Sequence, residues 1–345
     1  MTLKRPRMID VHLEDSEPPV GSTSAETAYS YRVHVGTRRV HSELLRVNRE
    51  SRQAASEFCR ARVPCKFFDN GVDNLSETDW KGHLVYNPEC DFLHITTKSL
   101  HLPDFLYDLK TTYDPDHVGL RNLAIQQNTL VMLYYTLSLS NHVDAKERET
   151  VGEIFSQLRQ VFFVKVTGVG RQLPRRTELP IERDVFNRSY PVMAQTATFE
   201  RLRRDPRDIA PDLDWTLMTT FDNHRTVQDW NQVLGTLGVC PPRHISYRLL
   251  LASEPRTPSC RRIIDRESAN TFLEEEDERW AEGSRVAQEL DSLNDDLERT
   301  VRPAVGFWLF PLEALDALAR DGKPWHEFAL LDLRKYWPEL ALLDL

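Results

Sequence analysis

Asp91 and His94 carry the side chains in this chain best suited to moving a proton, with Glu50 as a second carboxylate and Arg52 as a fixed cation. Lining one cleft, with shifted pKa values, these four would form a general acid–base site. Zinc chemistry has donors in His83, Cys90, His94 and His101, but their spacing fits no structural zinc pattern. Cysteines stand at 59, 65, 90, 240 and 260 with no C-x-x-C pair. Gly168-Val-Gly170 follows a strand-like run but lacks the third glycine and the helix of a dinucleotide loop, so a tight turn is expected. No G-x-S-x-G elbow, phosphate loop or H-E-x-x-H pair occurs. These residues predict no catalytic residue, cofactor or metal. A non-enzymatic protein is therefore the first reading, and an enzyme assembled from Asp91, His94, Glu50 and Arg52 is the alternative.

Two of those residues lie in Glu43-Leu-Leu-Arg-Val-Asn-Arg-Glu-Ser-Arg52, which opens a predicted helix. At about 100° per residue, Leu44, Val47, Ser51, Ala54, Ala55, Phe58 and Ala61 share an arc of about 120°. Glu43, Arg46, Arg49, Arg52, Glu57 and Arg60 lie outside it or at its edge, with Leu45 stranded among the arginines. Ser42 is the expected N-cap and Pro64 the stop, with Phe58 as a core anchor. Glu50 and Arg52, two apart, do not face each other. Glu50 reaches back to Arg46. Arg52 has no acidic neighbour at helical spacing, so it is either solvated or reaches another element.

Leu44 to Arg52 resembles the second signature of the 2-EXR domain family, fungal proteins named for two Glu-x-Arg motifs and without an assigned activity. Asn48, Arg49, Glu50, Ser51 and Arg52 are the motif positions. His83-Leu-Val-Tyr-Asn-Pro-Glu-Cys-Asp-Phe-Leu-His-Ile95 is similar to the strand, Asn-Pro turn and strand that follow the helix in that family. Gly306-Phe-Trp-Leu-Phe-Pro311 and Trp337-Pro-Glu-Leu340 resemble its ending. The likeness is dense over residues 5–165 and 300–345. Members begin with an F-box-like Leu-Pro-x-Glu-Leu-Arg helix bearing the first Glu-x-Arg. Here Arg5 to Leu13 resembles the strand after that helix, so the first motif is expected to be missing. The resemblance implies an interaction module with an unknown protein partner. Recruitment of substrates for ubiquitination would need the F-box-like start.

A chain of 345 residues, 40% hydrophobic and 28% charged, has the composition of a folded protein. Its net charge of −9 gives no general attraction to nucleic acid or anionic membranes. The basic runs at 171–176 and 201–204 have acids close by, as solvated loops do. With no secretory signal and no membrane span, an intracellular location (cytoplasmic or nuclear) with unpaired thiols is expected.

The elements that must position these residues read as α+β: a mixed β-sheet with helices packed over it, and an acidic helical region before a C-terminal segment that docks back. Met8–Leu13 and Tyr29–Val35 alternate as an antiparallel pair. Apolar runs at Leu93–Ile95, Leu120–Ile125 and Leu158–Val164 recur as parallel strands joined by crossovers. Helix is expected over His224–Leu237 and Arg261–Arg302, with strand at Ile245–Leu251 and a buried aromatic strand from Gly306. The divisions are a core at 1–165, an irregular extension at 166–260, the acidic helix at 261–302 and the aromatic closing segment at 303–345. Asp265-Arg-Glu-Ser268 echoes the motif but ends in Ala269, and the echo is read as chance.

Overall fold

A computed structural model describes residues 5–16, 31–36, 48–67, 80–97, 99–139, 143–168, 187–214, 216–219, 223–240, 244–257, 259–289, 301–317 and 328–345. The first half of the chain runs β1 (Met8–Asp15), β2 (Tyr31–Val35), α1 (Arg49–Phe58), β3 (Ala61–Phe67), β4 (Trp80–Tyr86), β5 (Phe92–Thr97), α2 (Leu102–Asp108), β6 (Asn122–Ile125), α3 (Gln127–Leu139), α4 (Ala145–Ser156) and β7 (Gln160–Thr167). There follow β8 (Phe199–Leu202), α5 (Ala210–Asp214), β9 (Thr216–Thr219), α6 (Asn223–Thr236), β10 (Ser246–Ser253), α7 (Arg266–Glu289), β11 (Gly306–Pro311), β12 (Phe328–Leu331) and β13 (Glu339–Leu343). The fold is α+β, built on a mixed sheet with helices. Two compact units divide the chain, residues 1–163 with 225–247 and residues 164–224 with 248–345.

In the first unit the strand order is β4-β3-β2-β1-β5-β6-β7. β1 runs antiparallel to β2, with Leu13 opposite Val33. The three recurring apolar runs become parallel strands: β1 beside β5, β5 beside β6, and β6 beside β7. Their sequences follow from their neighbours. β1 alternates, with Ile9, Val11 and Leu13 buried while Asp10 and Glu14 are exposed. β6 lies between two strands and is buried along its whole length, so Asn122-Leu-Ala-Ile125 shows no alternation. α2 packs against α3 and α4, and α3 against β5. Trp230 of α6 stacks on Phe155 of α4 and meets Phe163 of β7 edge-on.

The second unit carries β10-β11-β13-β8, each neighbour antiparallel, and a separate β9–β12 ribbon. The Phe307-Trp-Leu-Phe310 run is wholly buried core, as its composition predicts. A Cβ on Gly306 would stand 2.0 Å from the Ala341 carbonyl oxygen, so glycine is required where β11 meets β13. An Ala/Leu-rich helix is expected after Pro311; a 3₁₀ turn over Leu312–Asp316 stands there instead. The acidic helix begins at Arg266, later than the expected Arg261, and is described as far as Glu289, burying Phe272 and Trp280. Leu290, Leu293, Leu297 and Trp325 lie outside the described residues.

Burying tryptophan leaves an indole N–H to satisfy. Trp308 donates Nε1–H to the buried Asp205 Oδ2 at 2.7 Å. Arg207 Nε and Nη2 bond the same carboxylate at 3.0 and 2.5 Å, and Trp337 donates to the Asp205 carbonyl at 2.8 Å. Arg204 lies over the Trp337 ring. Removing Asp205 would leave the part-buried Arg207 guanidinium without its counter-charge and strand a buried indole N–H. Asp205→Ala is therefore expected to lower stability by about 3–5 kcal/mol in a urea titration; a loss below about 1 would show the contacts to be incidental.

Candidate functional site

The motif helix α1 begins at Asn48, whose extended backbone (φ −141, ψ 179) and Oδ1, accepting from Ser51 N–H at 2.7 Å, form an N-cap. Asn48 and Ser51 thus close the first turn, a backbone role. Arg49, Glu50 and Arg52 project into solvent. Neither arginine has an ion-pair partner among the described residues, so for Arg52 the solvated alternative holds. Ala55 is the one buried residue of the helix.

The C-terminal half of the expected helix is corrected. α1 ends at Phe58, Ala61 already opens β3, and Pro64 sits inside that strand opposite His83 of β4. Pairing of β2 with β3 covers only His34–Lys66 and Val35–Phe67. Pro64 lies beyond it, where a missing N–H breaks no β2 rung. Phe58 is half-buried and Ala54 exposed, so neither is core. Ser42, Glu43, Leu44, Leu45, Arg46 and Val47 lie outside the described residues.

The echo at Asp265 is not chance. Asp265 Oδ1 accepts from Ser268 N–H at 2.9 Å, at the start of α7, as Asn48 does from Ser51. Asx-Arg-Glu-Ser is a helix-start signature in both places. It was recognisable from the capping preference of Asn and Asp.

α1 is fastened at its far end by a buried charge pair. Arg7 Nε donates to Asp91 Oδ1 at 3.0 Å, and Nη2 reaches the other carboxylate oxygen. The same guanidinium meets the Val85 carbonyl at 3.2 Å and Cys59 Sγ, just past α1, at 3.6 Å. Asn87 N–H completes the carboxylate at 2.7 Å. Burial opposes the charge on Arg7, but the hydrogen bonds and charge of Asp91 outweigh it and raise the Arg7 pKa. Burial pushes the Cys59 thiol up to about 11, against a smaller lowering by Arg7. The sequence singled out Asp91 without its partner, which stands 84 residues away.

His94 belongs to a different group. Its Nδ1 lies 2.7 Å from Asp10 Oδ1, across the β1–β5 register. The residue is 7% exposed, and Nε2 has no hydrogen-bond partner among the described residues. Asp10, His12 and Glu14 share the polar side of β1, with Glu14 3.2 Å from His34 of β2. Alternation along β1 was the signal that could have found Asp10. Of the other metal-type donors, His101 bonds Asp104 at 2.5 Å, and no group of three or more His, Cys, Asp or Glu among the described residues is arranged to hold a metal. Glu50 and Arg52 are joined to neither Asp91 nor His94 by any hydrogen bond or ion pair among the described residues. The four acid–base candidates therefore fall into separate environments: a buried ion pair, an imidazole–carboxylate pair and a solvated helix.

No family model, curated protein or solved structure matches this chain. Among the described residues, no helix is long and apolar enough to cross a membrane.

Three outcomes follow for the helix and its anchor. Asn48→Ala should cost about 1 kcal/mol in chemical denaturation through loss of the cap, whereas Arg52→Gln should stay within about 0.5. Phe58→Ala should cost under about 2 kcal/mol, against about 3–5 for the fully buried Phe105. At pH 7.5 an Ellman titration should modify exposed Cys240 first. Cys59 and Cys65, buried and with thiols raised to about 11 and 12, should react only on unfolding.

Proposed function

We propose that this chain is an intracellular, non-enzymatic protein-interaction module of the 2-EXR type, meeting a protein partner through the outward side of α1. One observation carries this reading: Arg49, Glu50 and Arg52 stand in solvent on a helix whose cap and anchor are supplied by other residues. Their charges are not used to hold the fold, and an arginine fork in water is free to meet a partner's carboxylate bidentately. The motif resemblance supports the same reading, as does the separation of the acid–base candidates. Substrate recruitment for ubiquitination stays secondary, since it depends on the F-box-like segment.

The test is a pair of immobilised proteins, wild type and Arg49→Glu with Arg52→Glu, exposed to the same cell extract. The wild type should retain a discrete partner that the double variant loses by about tenfold or more, with unchanged circular dichroism and melting. Equal retention by both proteins would refute the α1 surface. The enzyme reading has one observation in its favour, a buried His94 imidazole paired with the exposed Asp10 carboxylate and carrying an unoccupied Nε2. It requires turnover by wild type in hydrolase and transferase screens that His94→Gln abolishes.

A further inference from the structure

The strand-entry end of the first unit holds an arrangement that neither the motif nor the His94 pair explains. Glu89 sits in the turn before β5, Arg121 just before β6 and Arg159 just before β7. Because those strands are parallel neighbours, the three residues stand on consecutive rungs of the same sheet end. Arg159 N–H donates to the Arg121 carbonyl at 2.7 Å, and Asn122 Nδ2 to the Glu89 carbonyl at 3.3 Å. Three arginines approach one carboxylate there. Arg121 Nε lies 3.1 Å from Glu89 Oε1, Arg159 Nη1 2.7 Å from Oε2, and Arg60 Nη2 3.9 Å from Oε1.

The occupancy of these forks is uneven. Arg60 is committed elsewhere, its Nε lying 2.9 Å from both Asp114 and Asp116. Asp114 is in turn fixed by backbone N–H groups of Asp116, Val118 and Gly119. Arg121 and Arg159 each approach Glu89 most closely through one nitrogen, although each carries five N–H donors. Neither arginine has an ion-pair partner other than Glu89 among the described residues. Glu89 is a planar anion with two oxygens, on a long side chain at a turn, and its carboxylate is partly exposed, as is Arg159. Ion pairs of this kind contribute little to stability. Displacing the side chain therefore costs little, while a tetrahedral dianion with more oxygens engages both forks through charge-assisted bonds.

We propose that Arg121 and Arg159, with Arg60 behind them, form a phosphate-binding site in which the Glu89 carboxylate is an internal stand-in that an external phosphate group displaces. This inference is independent of the α1 surface. A free phosphate and a phosphorylated side chain offer the same group.

The experiment titrates inorganic phosphate, at constant ionic strength, into wild type and Glu89→Gln by calorimetry and ³¹P NMR. Wild type should bind weakly, and Glu89→Gln about tenfold more tightly because the competing carboxylate is gone. Arg121→Gln with Arg159→Gln in the Glu89→Gln background should abolish binding. A short phosphoserine peptide separates the sources: tighter binding than phosphate assigns a phosphorylated chain, and equal binding assigns the free anion. Unchanged affinity in Glu89→Gln, or phosphate binding that survives loss of both arginines, would overturn the site. Should Glu89→Gln fail to fold, Arg159→Gln decides in the wild-type background: losing the wild-type phosphate signal supports the site, and retaining it overturns it.

Discussion

The first unit depends on one buried carboxylate. Asp91 stands between β4 and β5 and is 1% exposed. An isolated carboxylate so placed would be expensive to desolvate, and it persists because Arg7 and the Asn87 N–H fill its lone pairs. Arg7 immediately precedes β1, and its carbonyl accepts from Phe92 N–H at 2.7 Å. The ion pair therefore fixes where β1 begins to pair with β5, with Met8 opposite Phe92. A slip of one residue would turn Ile9, Val11 and Leu13 onto the polar side and carry Asp10 away from His94. The same guanidinium touches Cys59, so the register of the sheet and the seat of the motif helix are set together.

The second unit solves a related problem with a different partner. There the burden is aromatic: buried Trp308 lies edge-on to Tyr190 and Phe310, and buried Phe307 lies edge-on to Phe199. Asp205 accepts the indole proton and is balanced by Arg207, whose other nitrogen reaches the Ser189 and Arg302 carbonyls. In each unit a buried acid is tolerated because an arginine fork satisfies it and ties in backbone carbonyls.

What the sequence discloses follows what is local. Alternation reveals β1 and β2 and their antiparallel pairing, and apolar runs at regular spacing reveal β5, β6 and β7 as parallel neighbours. Spacing on a helix shows that Arg52 lacks a local acid and leaves water and a distant element as alternatives; its exposure decides for water. The misreadings share one cause. Pro64 stops a helix by local rule, yet here it occupies a strand at a position without a β2 neighbour. Phe58 belongs to the apolar arc of an ideal helix, but the chain turns into β3 right after it. The partners of Asp91 and His94 are both 84 residues distant, supplied by one strand pairing, and no local period encodes them.

The two Asx-Arg-Glu-Ser runs separate structure from surface within the motif. Both cap a helix, so Asn48 and Ser51 need no further explanation than the first-turn N–H groups they satisfy. Both leave the Arg and Glu exposed. They part at the next residue. In α7 it is Ala269, 2% exposed and packed inward; in α1 it is Arg52, directed outward. A capping signature alone places no demand on that position, and α7 uses it for burial. In α1 the same geometry carries a guanidinium away from the core and leaves Ala55 as the only buried residue of the helix. Packing explains the choice at Ala269 and offers nothing for Arg52, which makes the arginine, more than the rest of the motif, the residue whose presence points outside the fold.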